Sequence, residues 1–230
     1  MERDYLLEFL LYIGTPNFPI SLVKYFSSLP KALLVTLEVT IGATIIALLI
    51  GLLLALMRVS KSKYLYYPAG ILIYIGRCVP LPPLQLLVYL GITTYILMEP
   101  KIAGIIAIGL FTIPYMAELF RSGIQDVSIG MKEAGTSLGM SKWVLAKRII
   151  VPVAVRTMLP AIGQLMVGTM INSAFVSHIG AKDITGMARN IINAFFSTEL
   201  WIVVAVTYFL IAFPLSRALN WLERRIAIVQ

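Results

Sequence analysis

Apolar residues run in long, nearly unbroken blocks along the chain. Leu33 to Met57 is one, interrupted only by Glu38. A helix needs about 20 mostly apolar residues to cross the hydrocarbon core of a bilayer, and this block is long enough. Ile102 to Phe120 is another, with Glu118 near its end. Leu159 to Val176 is more polar, and Leu200 to Leu219 carries Pro214 and Arg217 near its far end. Tyr64 to Leu97 also has the length, but Arg77, Pro80, Pro82 and Pro83 interrupt its middle. Neither half could span alone, so this stretch reads as one broken helix. The pattern predicts an all-α membrane protein with five transmembrane helices.

Composition fits that pattern. Apolar side chains make up 59% of the 230 residues and charged ones 13%, about half of the roughly 25% usual in soluble domains. An ordinary soluble domain and a disordered chain are excluded. The single cysteine leaves no intramolecular disulfide. A net charge of +8 would suit a nucleic-acid binder, but its distribution reports topology instead. Twelve Lys and Arg residues, from Arg58 to Arg225, fall on one side of the five spans; six fall on the other, and Arg77 lies within a span. The richer side is expected to be cytoplasmic. That places the N-terminus outside and the C-terminus inside, and no nucleic acid is needed to explain the charge.

Residues 5–13 are apolar but too short to cross. They could form a helix along the interface, or a tail packed on the first span. The start Met1-Glu2-Arg3-Asp4, with no small-residue cleavage site after it, argues against a signal peptide.

The segment from about Arg121 to Arg156 is far longer than the 2–8 residues usual between packed helices. Helix formers dominate Met131 to Ala134 and Lys142 to Ile149, glycines punctuate it at 135 and 139, and Ser141 suits the N-cap of a second short helix. Two short helices around a glycine-bearing turn would make a compact knob able to fit a cleft on a partner.

Within that knob, Glu133-Ala134-Gly135, Gly139, Ile149, Val151 and Pro152 resemble the EAA loop of bacterial ABC importer permeases. Five fixed positions agree at the family spacing; Gly135 stands for the second alanine and Val151 for leucine. With residue frequencies of roughly 5–10%, chance agreement is on the order of 10⁻⁷ to 10⁻⁵ per starting point. Tyr115 to Gln125, Ser137 to Met140, Leu159-Pro160 with Gly163, and Arg77 with Pro80 resemble segments of the polar amino acid permeases (the histidine, glutamine and arginine type). The likeness runs from about Thr36 to Arg225.

The resemblance implies a type I ABC importer permease fold. Residues 1–32 would form a periplasmic segment and 33–225 the transmembrane domain. The coupling loop would fall at about 126–152, and 226–230 would be a cytoplasmic tail. It implies a multi-pass protein of the bacterial inner membrane that forms the path for a polar amino acid or similar solute. Its partners would be a second permease chain, identical or related, two ATP-binding subunits, an extracytoplasmic solute-binding protein and membrane lipid. ATP and Mg²⁺ would be held by the ATP-binding subunits; this chain has no Gly-x4-Gly-Lys-Ser/Thr loop and is expected to bind no cofactor. Glu133, Ala134, Gly135, Gly139, Met140 and Pro152 would couple to the ATPase, the small residues by permitting close approach. Pro152 and Pro160 would break the helix as it enters the next span.

Candidates for the substrate path are Glu38, Arg77, Pro80, Tyr115, Gln164, Gly168 and Asn172. Gln164, Gly168 and Asn172 recur every four residues and share a helix face, flanked by Thr169 and Ser173. A polar stripe of this kind faces either water or other helices. Arg77 either lines the path or pairs with carbonyls freed by the prolines. Glu38 lines it or snorkels to the interface. Leu84 stands where the family usually has Gln, with Gln85 one position later. Leu165 and Ile171 replace the charges that carriers of charged amino acids often place beside this stripe, which points to a neutral or different solute, or to a chain that contributes less to the site. Glu118 and Arg121, three apart, read as a structural pair. One His, one Cys and scattered carboxylates have no metal-ligand spacing, so a membrane enzyme or electron-transfer subunit is the weaker reading. Carriage of an opine, another amino acid derivative or methionine is the nearer alternative.

Overall fold

The computed structural model describes residues 17–227, and the candidate segment at 5–13 lies outside them. Helix α1 (Phe18–Val59) starts well before the apolar block at Leu33. Pro19 sits in its first turn, where a missing N–H costs nothing. The extension is stabilised by packing: Tyr25 and Ala32 are buried in one cluster with Ile184, Ala188, Ile192 and Leu200. Lys24, Ser27 and Lys31, which end the apolar pattern, are exposed on other faces.

The broken helix is seen as α2 (Lys63–Cys78) and α3 (Leu81–Thr93), bent by 103°. Val79 and Pro80 are extended, and Pro82 and Pro83 fall in the first turn of α3. The prolines thus start the second half rather than interrupting it. α4 (Pro100–Gln125) follows, then the short helices α5 (Ile129–Ser137) and α6 (Lys142–Leu145). A π-turn over Ala146–Ile150 leads into α7 (Val151–Asn172), which narrows to a 3-10 turn at Ser173–Ile179. α8 (Ile184–Phe195) and α9 (Leu200–Ala227) complete the chain. Four of these elements are long and apolar enough to cross a membrane, or five if the bent pair is one span.

α1 and α4 run parallel. A side chain at Gly42 would strike Ile105, one at Gly109 would strike Ile46, and one at Gly51 would strike Met116, each at 2.9–3.0 Å. Apolar residues gain little from facing each other rather than lipid, so close backbone packing over small residues holds membrane helices together. α7 runs antiparallel to α4, with Met158 beside Gly123 at one end and Val176 beside Gly104 at the other. Along the same helix, Gly76 of α2 meets Pro114 and Gln85 of α3 lies near Gly104. The bent pair therefore advances along α4 from one half to the other. α9 packs antiparallel on α7 through Leu219 at Gly163.

Candidate functional site

The loop between α4 and α7 is built by its caps. Ser128 Oγ accepts from the Met131 N–H at 3.3 Å to start α5, and Ser141 Oγ accepts from the Val144 N–H at 3.4 Å to start α6. Gly139 ends α5 at φ 74°. There the Met140 N–H bonds the Gly135 carbonyl at 3.1 Å and the Gly139 N–H bonds that of Thr136 at 2.9 Å. These are the two bonds of a Schellman cap, which needs a left-handed residue at this place. A side chain at Gly139 would meet nothing within 4 Å, so within this chain conformation, not space, demands glycine. Gly135 is buried, and any side chain there would strike Leu145. Its small size serves packing of α5 on α6 inside the knob. Glu133 and Ala134 face outward, as do Ile129, Leu138 and Trp143, each more than 70% exposed. Glu133 also lines a shallow cleft with Lys132, Thr136 and Ser137.

Pro152 and Pro160 do not break the helix, contrary to the sequence expectation: Lys142–Ile179 is continuous. Pro152 lacks the N–H that would bond Arg148, and its ring crowds that carbonyl. The π-turn at Ala146–Ile150 widens the preceding turn and absorbs both effects.

Glu118 and Arg121 are the expected pair, joined at 2.7 and 3.0 Å, with Gln125 a further partner of Arg121. Arg77 is exposed, its guanidinium 5.7 Å from the centre of the Tyr115 ring, so the packing of the end of α2 on α4 brings two candidate path residues together. Pro80, also exposed, is the N-cap of α3. Glu38 is apart from them. It accepts from Lys101 Nζ at 2.6 Å, with both side chains substantially exposed.

Gln85 answers the question raised by Leu84. It is 1% exposed. With its NH2 turned inward, it donates to the Phe175 carbonyl at 2.8 Å and accepts from the Val176 N–H at 3.3 Å. The i to i+3 bonds of a 3-10 turn have poorer geometry than those of an α-helix, and Gln85 adds two bonds from outside the turn.

The α7 stripe separates into two sides. Thr169 and Ser173 are buried, their hydroxyls bonded back to Leu165 and Met170. Gln164 is exposed and donates to Asn220 Oδ1 of α9 at 2.9 Å. Gly168 borders open space and Asn172 is half-buried.

One polar centre was not anticipated. Asp183 is fully buried and caps α8 by accepting from the Gly186 and Thr185 N–H groups at 2.9 and 3.2 Å; it also accepts from the Tyr208 hydroxyl at 3.3 Å. Burial pushes its carboxyl up to about 6 against the pull of these donors. The signal was local: an aspartate directly before Ile184-Thr185-Gly186, an N-cap spacing.

Long apolar helices around one ordered, outward-facing loop define a multi-pass membrane protein. Among the described residues, no group of His, Cys, Asp and Glu could hold a metal ion. Residues 47–228 match the family described as the inner membrane component of binding-protein-dependent transport systems, and the chain belongs to that family. It is 35% identical over 174 residues to the nopaline transport system permease protein of Agrobacterium fabrum, covering 70% of this chain and 72% of that one. It is 33% identical over 133 residues to the glutamine transport system permease protein of Escherichia coli K12, covering 57% and 61%. A crystal structure of an amino acid ABC transporter with histidines superposes with a TM-score of 0.83 at 35% identity, over 90% of this chain and 97% of that one. The MetNI methionine transporter shares the fold, with a TM-score of 0.76 at 16% identity over 87% and 97%.

Proposed function

We propose that this chain forms the membrane path of an ATP-driven importer for a polar amino acid or similar small solute. It crosses the membrane five times, with the bent α2–α3 pair as one crossing, its N-terminus outside and its C-terminus in the cytoplasm. It catalyses no reaction and holds no cofactor. Two ATP-binding subunits, which bind ATP and Mg²⁺, dock on the loop of α5 and α6. A second permease chain, identical or related, completes the path, and an extracytoplasmic binding protein delivers the solute.

The observation that carries this reading is the ordered knob, capped at Ser128, Gly139 and Ser141, with outward-facing apolar side chains and a helical connection into α7. A surface of this kind suits a rigid partner that pushes on it. Arg77 with Tyr115, and Gln164 with Gly168 and Asn172, line the path. The glutamine relative supports an amino acid as cargo. A second reading, an opine or other amino acid derivative, is favoured by the likeness to the nopaline permease and by Leu165 and Ile171 beside the stripe.

Uptake of labelled solutes into proteoliposomes containing the whole complex tests this. ATP-dependent uptake of an amino acid or opine is expected, together with its loss in Gly139→Arg while the permease remains in the membrane. Undiminished uptake in that variant would remove the coupling role from the loop.

A further inference from the structure

At the end of the bundle that carries the α5–α6 loop, α9 borders a cleft of about 340 Å³ lined by Arg217, Asn220, Trp221 and Arg224. Their spacing puts all four on one helix face. Both arginines are exposed. The ion pairs among the described residues are Lys101–Glu38 and Arg121–Glu118, so no described residue forms an ion pair with either arginine. Among the described residues, no carboxylate lines the cleft. Asn220 uses its Oδ1 to accept from Gln164 at 2.9 Å, which leaves its amide NH2 as a donor. The guanidinium of Arg217 lies 5.7 Å from the Phe213 ring centre and that of Arg225 lies 4.2 Å from the Trp221 ring centre, so aromatic faces one turn away along α9 orient these side chains.

Two guanidinium groups and an amide donor around one cavity suit an oxyanion, because the planar N–H fork of arginine matches the spacing of phosphate oxygens. The position favours a lipid over a free ion. Trp221 is 56% exposed near the end of an apolar helix, where tryptophan marks the level of lipid head groups. A cluster of basic residues on a helix face at the positively charged side suits anionic head groups. We propose that this cleft binds the phosphate of an anionic phospholipid in the adjoining leaflet. The assignment does not depend on which solute is carried.

The complete complex, reconstituted with phosphatidylglycerol and phosphatidylcholine and then stripped of bulk lipid, tests this by native mass spectrometry of retained phospholipid. Wild type should keep phosphatidylglycerol in preference to phosphatidylcholine. Arg217→Gln and Arg224→Gln should each lower that retention about fivefold. Arg225→Gln, whose guanidinium is engaged on Trp221, should leave it near wild type. Equal retention in the Arg217→Gln/Arg224→Gln double variant, or an equal loss in Arg225→Gln, overturns the site. Complete displacement by inorganic phosphate would assign the cleft to a free anion and overturn the lipid reading. If the glutamine variants do not assemble, the double lysine variant keeps both charges. It should retain phosphatidylglycerol above phosphatidylcholine, and loss of that preference overturns the proposal.

Discussion

At the scale of single residues, the decisive positions are those whose neighbours leave no choice. Gly139 must adopt a left-handed backbone, which costs a residue with a Cβ about 1–2 kcal/mol. Gly139→Ala should therefore loosen α5, seen as faster amide exchange over residues 129–140. Gly139→Asn should be milder, since Asn enters this region more readily. Asp183 supplies a pH dependence. Its folded value of about 6 lies above the ordinary 3.8, so the folded state holds the proton more tightly. That contribution is complete below about pH 4 and is lost as the pH rises through about 6. Thermal unfolding in detergent should show this decline, and Asp183→Asn should flatten it. Both residues show where sequence reading stops. The spacing around Gly139 identified the loop, but whether glycine there serves a partner or the backbone depends on φ. Asp183 looked like one more scattered carboxylate until the fold closed Tyr208 and the first turn of α8 around it.

Among the elements, the apolar blocks were legible because a bilayer-spanning helix writes its own length into the sequence. The break at Pro80, the Ser141 cap and the Glu118–Arg121 pair were legible for equally local reasons. The early start of α1 and the existence of α8 were not. Each is stabilised by burying a face against the other, a nonlocal condition that apolar run length does not register. The π-turn is similar: Pro152 announces a disturbance, and the surrounding packing decides whether the helix breaks or widens. Gln85 ties α3 to the 3-10 turn after α7. Gln85→Leu would remove the bonds to the Val176 N–H and the Phe175 carbonyl, at a cost of about 0.5–1.5 kcal/mol each. A lower unfolding temperature is expected, with the helical content of the remaining protein unchanged.

The whole molecule alternates direction: α1, α4 and α9 run one way, and the bent pair and α7 the other. With the proposed five crossings, the lysine and arginine bias predicts one orientation. With Cys78, the single cysteine, replaced by Ser, Lys182→Cys should react with a membrane-impermeant maleimide from outside the cell. Lys142→Cys should react only after the membrane is opened. The reverse labelling would invert the topology.

The parallel pairing of α1 with α4 also has a meaning in time. Glu38 meets Lys101 63 positions later in the chain. At about 5–20 residues per second of synthesis, α1 waits roughly 3–13 s before its partner leaves the ribosome. Its buried threonine hydroxyls need no such partner: Thr36, Thr40 and Thr44 bond to the carbonyls of Ala32, Thr36 and Thr40 at 2.7–3.1 Å. The first helix is equipped to enter the bilayer alone, and the membrane serves as its holding environment until the sequence that completes it has been made.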